Sequence, residues 1–317
     1  MQQPRHPEPS VRHPSSLRSS VVVMMHLIAG VETGGTKVVA AVGRTDDPGR
    51  IVDEIEIPTT TPDEVGARVR AFLDRHEVVD HVGIAAFGPV DIDPRSPGFG
   101  SVTSTPKPGW TGAPLADLVG GRPHTIVSDV TGAALGEHAR GATAEIPDSA
   151  YITVGTGVGV GALVGGRPFS TTAHPELGHI AMRRHADDDF AGVCPFHGGD
   201  CVEGLASGPA IAERWGRPTR ELGDLLDRAV TLEAWYLGQL VATVTYAYRP
   251  QRIVIGGGAM KIPELLDAVR EASVREIRGA LGAEHPSNRP DTYLVPPGLG
   301  DRAGVIGALH LAAAHVG

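Results

Sequence analysis

The chain has almost no cysteine. Cys194 and Cys201 are its only thiols among 317 residues. Two thiols cannot build a disulfide framework, so the sequence reads as a protein of the reducing cytoplasm. Aromatic residues are as sparse, at 4%, against 42 glycines. That balance favours Gly-rich turns between Val/Ala/Ile strands over an aromatic binding surface. No apolar run reaches the roughly 20 residues that span a bilayer. There is no excess of positive charge either: the formal net charge is −9. An acidic chain has no general attraction to nucleic acid, and a DNA role would need a dedicated basic segment.

What is present is an ordinary soluble composition, 41% hydrophobic and 21% charged, over a length that suits two domains. The apolar stretch Val21–Gly30 follows Arg12 and Arg18 and imitates a secretory signal. It runs straight into a Gly-rich loop without a small-residue cleavage site, and cleavage would remove the strand that carries the loop. Residues 1–24, rich in Pro, Ser, His and Arg, are expected to form a disordered extension, with Met24 and Met25 as alternative starts.

Periodicity organises the rest. Val21–Val31 and Lys37–Gly43 read as strands joined by Glu32-Thr33-Gly34-Gly35-Thr36. Further strands are expected at Ile51–Ile57, Val82–Phe87 and Thr125–Ser128. Thr61–His76 has a helical period, with Val65, Val69, Phe72 and Leu73 on one face. Pro114–Gly120 reads as a short helix and Thr131–Arg140 as a longer one. The motif then returns: strand Ala150–Val154, turn Gly155-Thr156-Gly157-Val158-Gly159, strand Val160–Val164. One hairpin repeated in each half predicts a duplicated α/β architecture with a cleft between the halves. Pro209–Tyr248 should be largely helical. A strand at Arg252–Ile255 ends in Gly256-Gly257-Gly258, with helices after it at about 261–281 and at Asp301–His315.

Several residues carry candidate chemistry. Glycines let backbone N–H groups approach phosphate, Thr hydroxyls add donors, and Lys37 could add a point charge. Each turn alone could be a plain hairpin; two matching turns and a third Gly cluster argue for a nucleotide. No Gly-x4-Gly-Lys-Ser/Thr loop occurs, and the second turn leads into a strand where a dinucleotide fingerprint needs a helix. Asp129 follows a strand and precedes a helix, at the mouth of the expected cleft. It could accept the proton of a nucleophilic hydroxyl, as Asp does in kinases, or simply cap the helix. His179, Cys194, His197 and Cys201 have the spacing of a closed tetrahedral site, typical of structural zinc. His174 and His185 compete for the first ligand position. Glu176 and Glu203 bracket this segment and suit a polyhydroxylated ligand, although Glu in loops is commonly just solvated.

The segments Gly30–Lys37, Phe87–Asp91, Ser104–Trp110, Ser128–Val130, Gly155–Gly159, His174–His179 and above all Cys194–Pro209 resemble the ROK family of sugar kinases, most closely its zinc-containing bacterial fructokinases. The resemblance implies a duplicated actin-like ATPase (ribonuclease H-like) fold and a homodimer. Its lobes would be 25–126 with 301–317, and 127–300 with a zinc loop at 174–208. It implies ATP with Mg²⁺ as cofactors, a structural Zn²⁺, and transfer of the γ-phosphate to the 6-hydroxyl of a hexose. D-Fructose comes first, with mannose, glucose or an amino sugar as alternatives. By the same resemblance Asp129 is the general base. Gly34, Gly35, Thr36 and Lys37 surround phosphate, as do Thr156 and Gly157. Gly257 and Gly258 lie near adenosine. Glu176, His179, Glu203 and Lys107 contact the sugar, and His179 also binds metal.

Three departures stand out: Ser128 replaces the commoner Asn, Glu32 replaces Asp, and His197 replaces a third Cys, the mark of the fructokinase branch. Regulators of the family carry an amino-terminal helix-turn-helix, which Pro4, Pro7, Pro9 and Pro14 forbid in the short segment available.

Overall fold

The computed structural model describes residues 26–76, 78–105 and 107–316. The expected extension over 1–24 lies outside them, as does the start of the strand expected from Val21.

The first hairpin is β1 (Leu27–Thr33) and β2 (Lys37–Arg44). Both are apolar on consecutive residues because both faces are covered, and a strand buried on two sides shows no alternation. β3 (Asp53–Pro58) does alternate, with Glu54 and Glu56 exposed, as suits a sheet edge. α1 (Pro62–Leu73) is capped by Thr61, whose hydroxyl accepts the Glu64 N–H, and it buries the four residues that its period picks out. β4 (Val79–Ala86) and β5 (His124–Ser128) complete the sheet, with a single 3₁₀ turn at Leu115–Val119 in place of the short helix expected there.

After α2 (Asp129–Arg140), the second half repeats the plan: hairpin β6 (Ser149–Val154) and β7 (Val158–Val164), then edge strand β8 (Arg167–Pro168). Helices α3 (Val202–Ala206), α4 (Gly208–Trp215) and α5 (Leu226–Tyr248) follow. The stretch expected to be largely helical is so, with a break after Gly216, which adopts φ 66°. β9 (Arg252–Gly256), α6 (Leu265–Ile277), α7 (Pro290–Tyr293), β10 (Leu294–Val295) and α8 (Ala303–Ala313) finish the chain.

The duplication is visible in the strand order. One sheet runs β3-β2-β1-β4-β5 and the other β8-β7-β6-β9-β10. In each, the hairpin strands pair antiparallel and the later strands pair parallel to the first. The same fold is thus built twice, as in actin-like ATPases.

Two helices join the halves. α8 packs on the first sheet, where a β-carbon on Gly83 would lie 1.9 Å from the Ala308 carbonyl. α2 packs on the second, where one on Gly161 would lie 2.3 Å from the Val130 carbonyl. The helices also touch each other: a β-carbon on Gly307 would lie 1.8 Å from the Gly132 carbonyl. Glycine at these places brings backbone against backbone. The outer face of the first sheet is covered by α1 and the Leu115–Val119 turn, and that of the second by α3, α5 and α6. No helix among the described residues is long and apolar enough to cross a membrane.

Candidate active site

Both Gly turns are tips of hairpins, and each is braced from outside. In the first, the Gly34 N–H donates to the Lys37 carbonyl at 2.9 Å. Thr59 holds it from the side: its hydroxyl donates to the Gly34 carbonyl at 2.7 Å, and its N–H to the Thr36 carbonyl at 2.9 Å. In the second, the Gly155 N–H donates to the Gly157 carbonyl at 2.9 Å, and the Gly208 N–H, opening α4, donates to the Gly155 carbonyl at 2.7 Å. These turns contain Gly34, Gly35, Thr36, Thr156 and Gly157, the residues expected near phosphate.

Asp129 lies at the carboxyl end of β5, where α/β sheets place ligands. Helix α2 begins two residues earlier than its apolar pattern suggests, because Ser128 is the cap. The Ser128 hydroxyl accepts the Thr131 N–H and lies 2.8 Å from Thr131 Oγ1. The capping role open to Asp129 on sequence grounds is therefore filled by its neighbour. Asp129 lines a cavity of about 210 Å³ together with Glu32, Lys37, Tyr151, Thr153, Gly257, Asp301 and Gly304. A second cavity of about 230 Å³ is walled by Ile255, Met260, Leu266, Pro296 and Pro297. Tyr151, Gly257, Gly300 and Asp301 line both, so one cleft leads from Asp129 to an apolar slot. Gly257, at φ 100°, has no room for a side chain, since a β-carbon would lie 2.4 Å from the Val154 carbonyl. Gly258 follows it and opens a 3₁₀ turn.

The cleft is rich in carboxylates. Burial raises Asp129 from 3.8 to about 6, and the charge of Glu176 pushes the same way, against one N–H donated by Val130 at 2.8 Å. Burial raises Glu32 from 4.5 to about 7, and Asp129 adds to it. Glu32 Oε2 is buried without a hydrogen-bond partner. Lys37 is at the rim, with Nζ 2.7 Å from Glu56 Oε2. Sequence reading left the role of Glu32 open and missed Tyr151 and Asp301. Asp301 was expected to open the last helix; it sits instead in a 3₁₀ turn, Gly300–Arg302, before α8 begins. The Gly298-Leu299-Gly300-Asp301 run, another Gly-rich turn after a strand-like segment, was the available signal.

The metal-like cluster assembles as its spacing suggests. His179 Nδ1 lies 3.8 Å from Cys194 Sγ and 3.8 Å from Cys201 Sγ, and His197 Nδ1 lies 3.3 Å from Cys194 Sγ. All four ligand atoms fall within 4.8 Å of one another. A tetrahedral ion with metal–sulfur bonds of about 2.3 Å and metal–nitrogen bonds of about 2.05 Å has sulfur–nitrogen edges of about 3.6 Å, so the cluster can hold a metal. Burial pushes the Cys201 thiol up to about 11, a cost that a bound cation would reverse. Neither rival histidine joins the cluster: His174 rests near Gly88 and Glu176, and His185 accepts the Asp187 N–H.

The cluster connects to the second turn through three consecutive residues. Cys201 caps α3, and Glu203, in its first turn, accepts the Val158 N–H at 3.0 Å. Glu176 stands 3.4 Å from His174 Nδ1 and near enough to Asp129 to raise its pKa. One 3₁₀ turn, Leu177–His179, then leads to the cluster. Lys107 lies beside the first Gly turn, its Cε 3.6 Å from where a β-carbon on Gly35 would stand.

Known proteins resemble the chain in sequence and fold. A sequence profile described as ROK family matches residues 28–315. Fructokinase of Zymomonas mobilis subsp. mobilis is 42% identical, over 90% of this chain and 95% of that one. A crystal structure of ROK hexokinase from Thermus thermophilus superposes with a TM-score of 0.74 at 30% identity, covering 92% of this chain and 99% of that one. A ROK family glucokinase from Streptomyces griseus, in complex with glucose and AMPPNP, gives a TM-score of 0.69 at 27% identity over 91% and 99%.

Proposed function

Because the chain belongs to the ROK family, we propose that it is a fructokinase, transferring the γ-phosphoryl group of ATP to the 6-hydroxyl of D-fructose. The observation that carries this reading is Asp129: a carboxylate freed from capping by Ser128, raised to about 6, at the end of β5 in a cleft that Glu32 and Lys37 also line. At neutral pH it is ionised and can take a proton from an alcohol. The hexose oxygen forms a bond to the γ-phosphorus as the bond to the bridging oxygen breaks. ADP leaves, and the hydroxyl proton ends on the Asp129 carboxylate.

The Gly turns supply N–H donors to the phosphates, and the apolar slot beside Gly257 and Gly258 suits adenosine. Glu176, His179 and Glu203 contact the sugar. The orphaned Glu32 oxygen, beside Asp129, fits Mg²⁺ or its bound water, which when present would neutralise charge on the phosphates. His179, Cys194, His197 and Cys201 fit Zn²⁺, which would pin the loop carrying Glu176 and Glu203. The chain acts in the cytoplasm as a homodimer, its lobes meeting near Ser128.

Ser128 is 2% exposed and its hydroxyl is engaged with Thr131, so it offers the hexose little, and the choice of sugar falls to other groups. Coupled ADP release with fructose, mannose, glucose and N-acetylmannosamine tests the reading. Turnover highest on fructose is expected. A higher kcat/KM for one of the others would move the assignment to that sugar, and no turnover on any would end the kinase reading.

A further inference from the structure

Two lysines reach the first Gly turn, and only one has a carboxylate. Lys37, which adjoins the turn in sequence, is paired to Glu56 at 2.7 Å. Lys107 comes from a loop 70 positions later. Its Cε lies 3.6 Å from where a β-carbon on Gly35 would stand. No carboxylate among the described residues is within ion-pairing distance of it. An ammonium group on a flexible stem is a point charge suited to phosphate oxygen.

The position of Lys107 is built into the fold. Thr59 clamps the Gly34 and Thr36 carbonyls. The next residue, Thr60, accepts the Trp110 indole N–H at 2.7 Å, and Trp110 is fully buried. The Trp110 N–H in turn donates to the Lys107 carbonyl at 3.2 Å, and the Lys107 N–H donates to Thr105 Oγ1 at 3.3 Å. Adjacent residues of one segment therefore hold both the phosphate turn and the loop that carries the free lysine. The charge balance points the same way. Glu32, Asp129 and Asp301 line the cleft, and a triphosphate adds further negative charge that Lys37, shared with Glu56, only partly offsets.

We propose that Lys107 is the cation that faces the transferred phosphoryl group at the Gly34–Lys37 turn, and not a contact to the sugar hydroxyls. It would hold the γ-phosphate in the substrate complex and the new phosphate of the product. In phosphoryl transfer the charge spreads over the equatorial oxygens, and a fixed cation there stabilises the transition state. The inference rests on the kinase reading above.

Lys107→Met and Lys107→Arg test it, with thermal melts to check that both fold. In Lys107→Met, kcat with fructose should fall about 10²–10³-fold, as for loss of one oxyanion donor. Slow hydrolysis of ATP without sugar should fall by a similar factor, because water then replaces the sugar but the phosphoryl group is the same. AMPPNP binding should weaken about tenfold more than ADP binding, the effect of one charge-assisted hydrogen bond. The KM for fructose should change less than about threefold, and Lys107→Arg should recover part of the rate. A raised fructose KM with kcat, hydrolysis and the AMPPNP-to-ADP ratio unchanged would overturn the proposal in favour of a sugar contact. No change in any of these would overturn it outright. If the wild-type protein turns over no hexose, the kinase reading fails alone, and the AMPPNP-to-ADP comparison still decides Lys107.

Discussion

Asp129→Asn should abolish the reaction and stabilise the protein. The substitution keeps the shape of the side chain and an oxygen to accept the Val130 N–H, which lies 2.8 Å from Asp129 Oδ1. It removes the charge. Burial, aided by Glu176, raises the carboxyl from 3.8 to about 6. A shift of two units corresponds to at most about 3 kcal/mol of penalty on the ionised form. The residue is only half-buried, so screening reduces this to roughly 1–2 kcal/mol.

The sign follows from linkage. Folded protein holds this proton more tightly than unfolded chain, so wild type loses stability as pH rises from 3.8 through about 6 and is level above that. The variant lacks this loss. Its advantage should be complete at pH 7.5, where Tm should rise by roughly 2–6 °C. It should close as the pH is lowered towards 4. Differential scanning fluorimetry across that range measures it, with coupled ADP release alongside. Activity should fall at least about 10³-fold, within the range for loss of a general base, while AMPPNP affinity is retained. A lower Tm at pH 7.5 would refute the burial argument. Residual kcat near wild type would refute the base, and equal loss of nucleotide binding would make Asp129 a structural residue.

Other perturbations have equally definite outcomes. Glu176→Gln removes a charge that raises Asp129; the acidic limb of the kcat/KM profile should move to lower pH, with a higher KM for hexose, and an unmoved limb would sever the two residues. Metal analysis of protein prepared without chelator should find one zinc per chain. Cys194→Ser should lose it, lower Tm and weaken hexose and nucleotide binding together, since Cys201 caps the helix whose Glu203 holds Val158. Gly307→Ala drives a methyl to 1.8 Å from the Gly132 carbonyl; it should cost about 3 kcal/mol in urea unfolding, and a cost under about 0.5 kcal/mol would mean the two helices separate freely.

Much of this fold could be read from the chain because its signals are local. The strand–turn–strand motif at Gly34–Lys37 and its repeat at Gly155–Gly159 foretold a duplication that the matching strand orders bear out. His179, Cys194, His197 and Cys201 lie within one loop-rich segment, and their convergence needed no distant partner. The two-residue strands Arg167–Pro168 and Leu294–Val295 were missed, being too short to show a period.

The instructive misses are charged residues whose partners are remote in sequence. Glu137 reads as one more polar position near the end of α2. In the fold it is fully buried and accepts N–H groups from Ala142, Gly298 and Leu299 at 2.6, 3.0 and 2.9 Å. It thereby fixes the turn that presents Gly300 and Asp301 to the cleft. Asp188 and Glu233 both bind the buried Arg214 at 3.0 Å, which anchors the 174–208 segment to α4 and α5. The backbone contacts that hold Lys107 are also remote in sequence. Thr59 braces the Gly34–Lys37 turn, Thr60 accepts the Trp110 indole N–H, and the Trp110 N–H donates to the Lys107 carbonyl, so only the folded chain brings the two segments together.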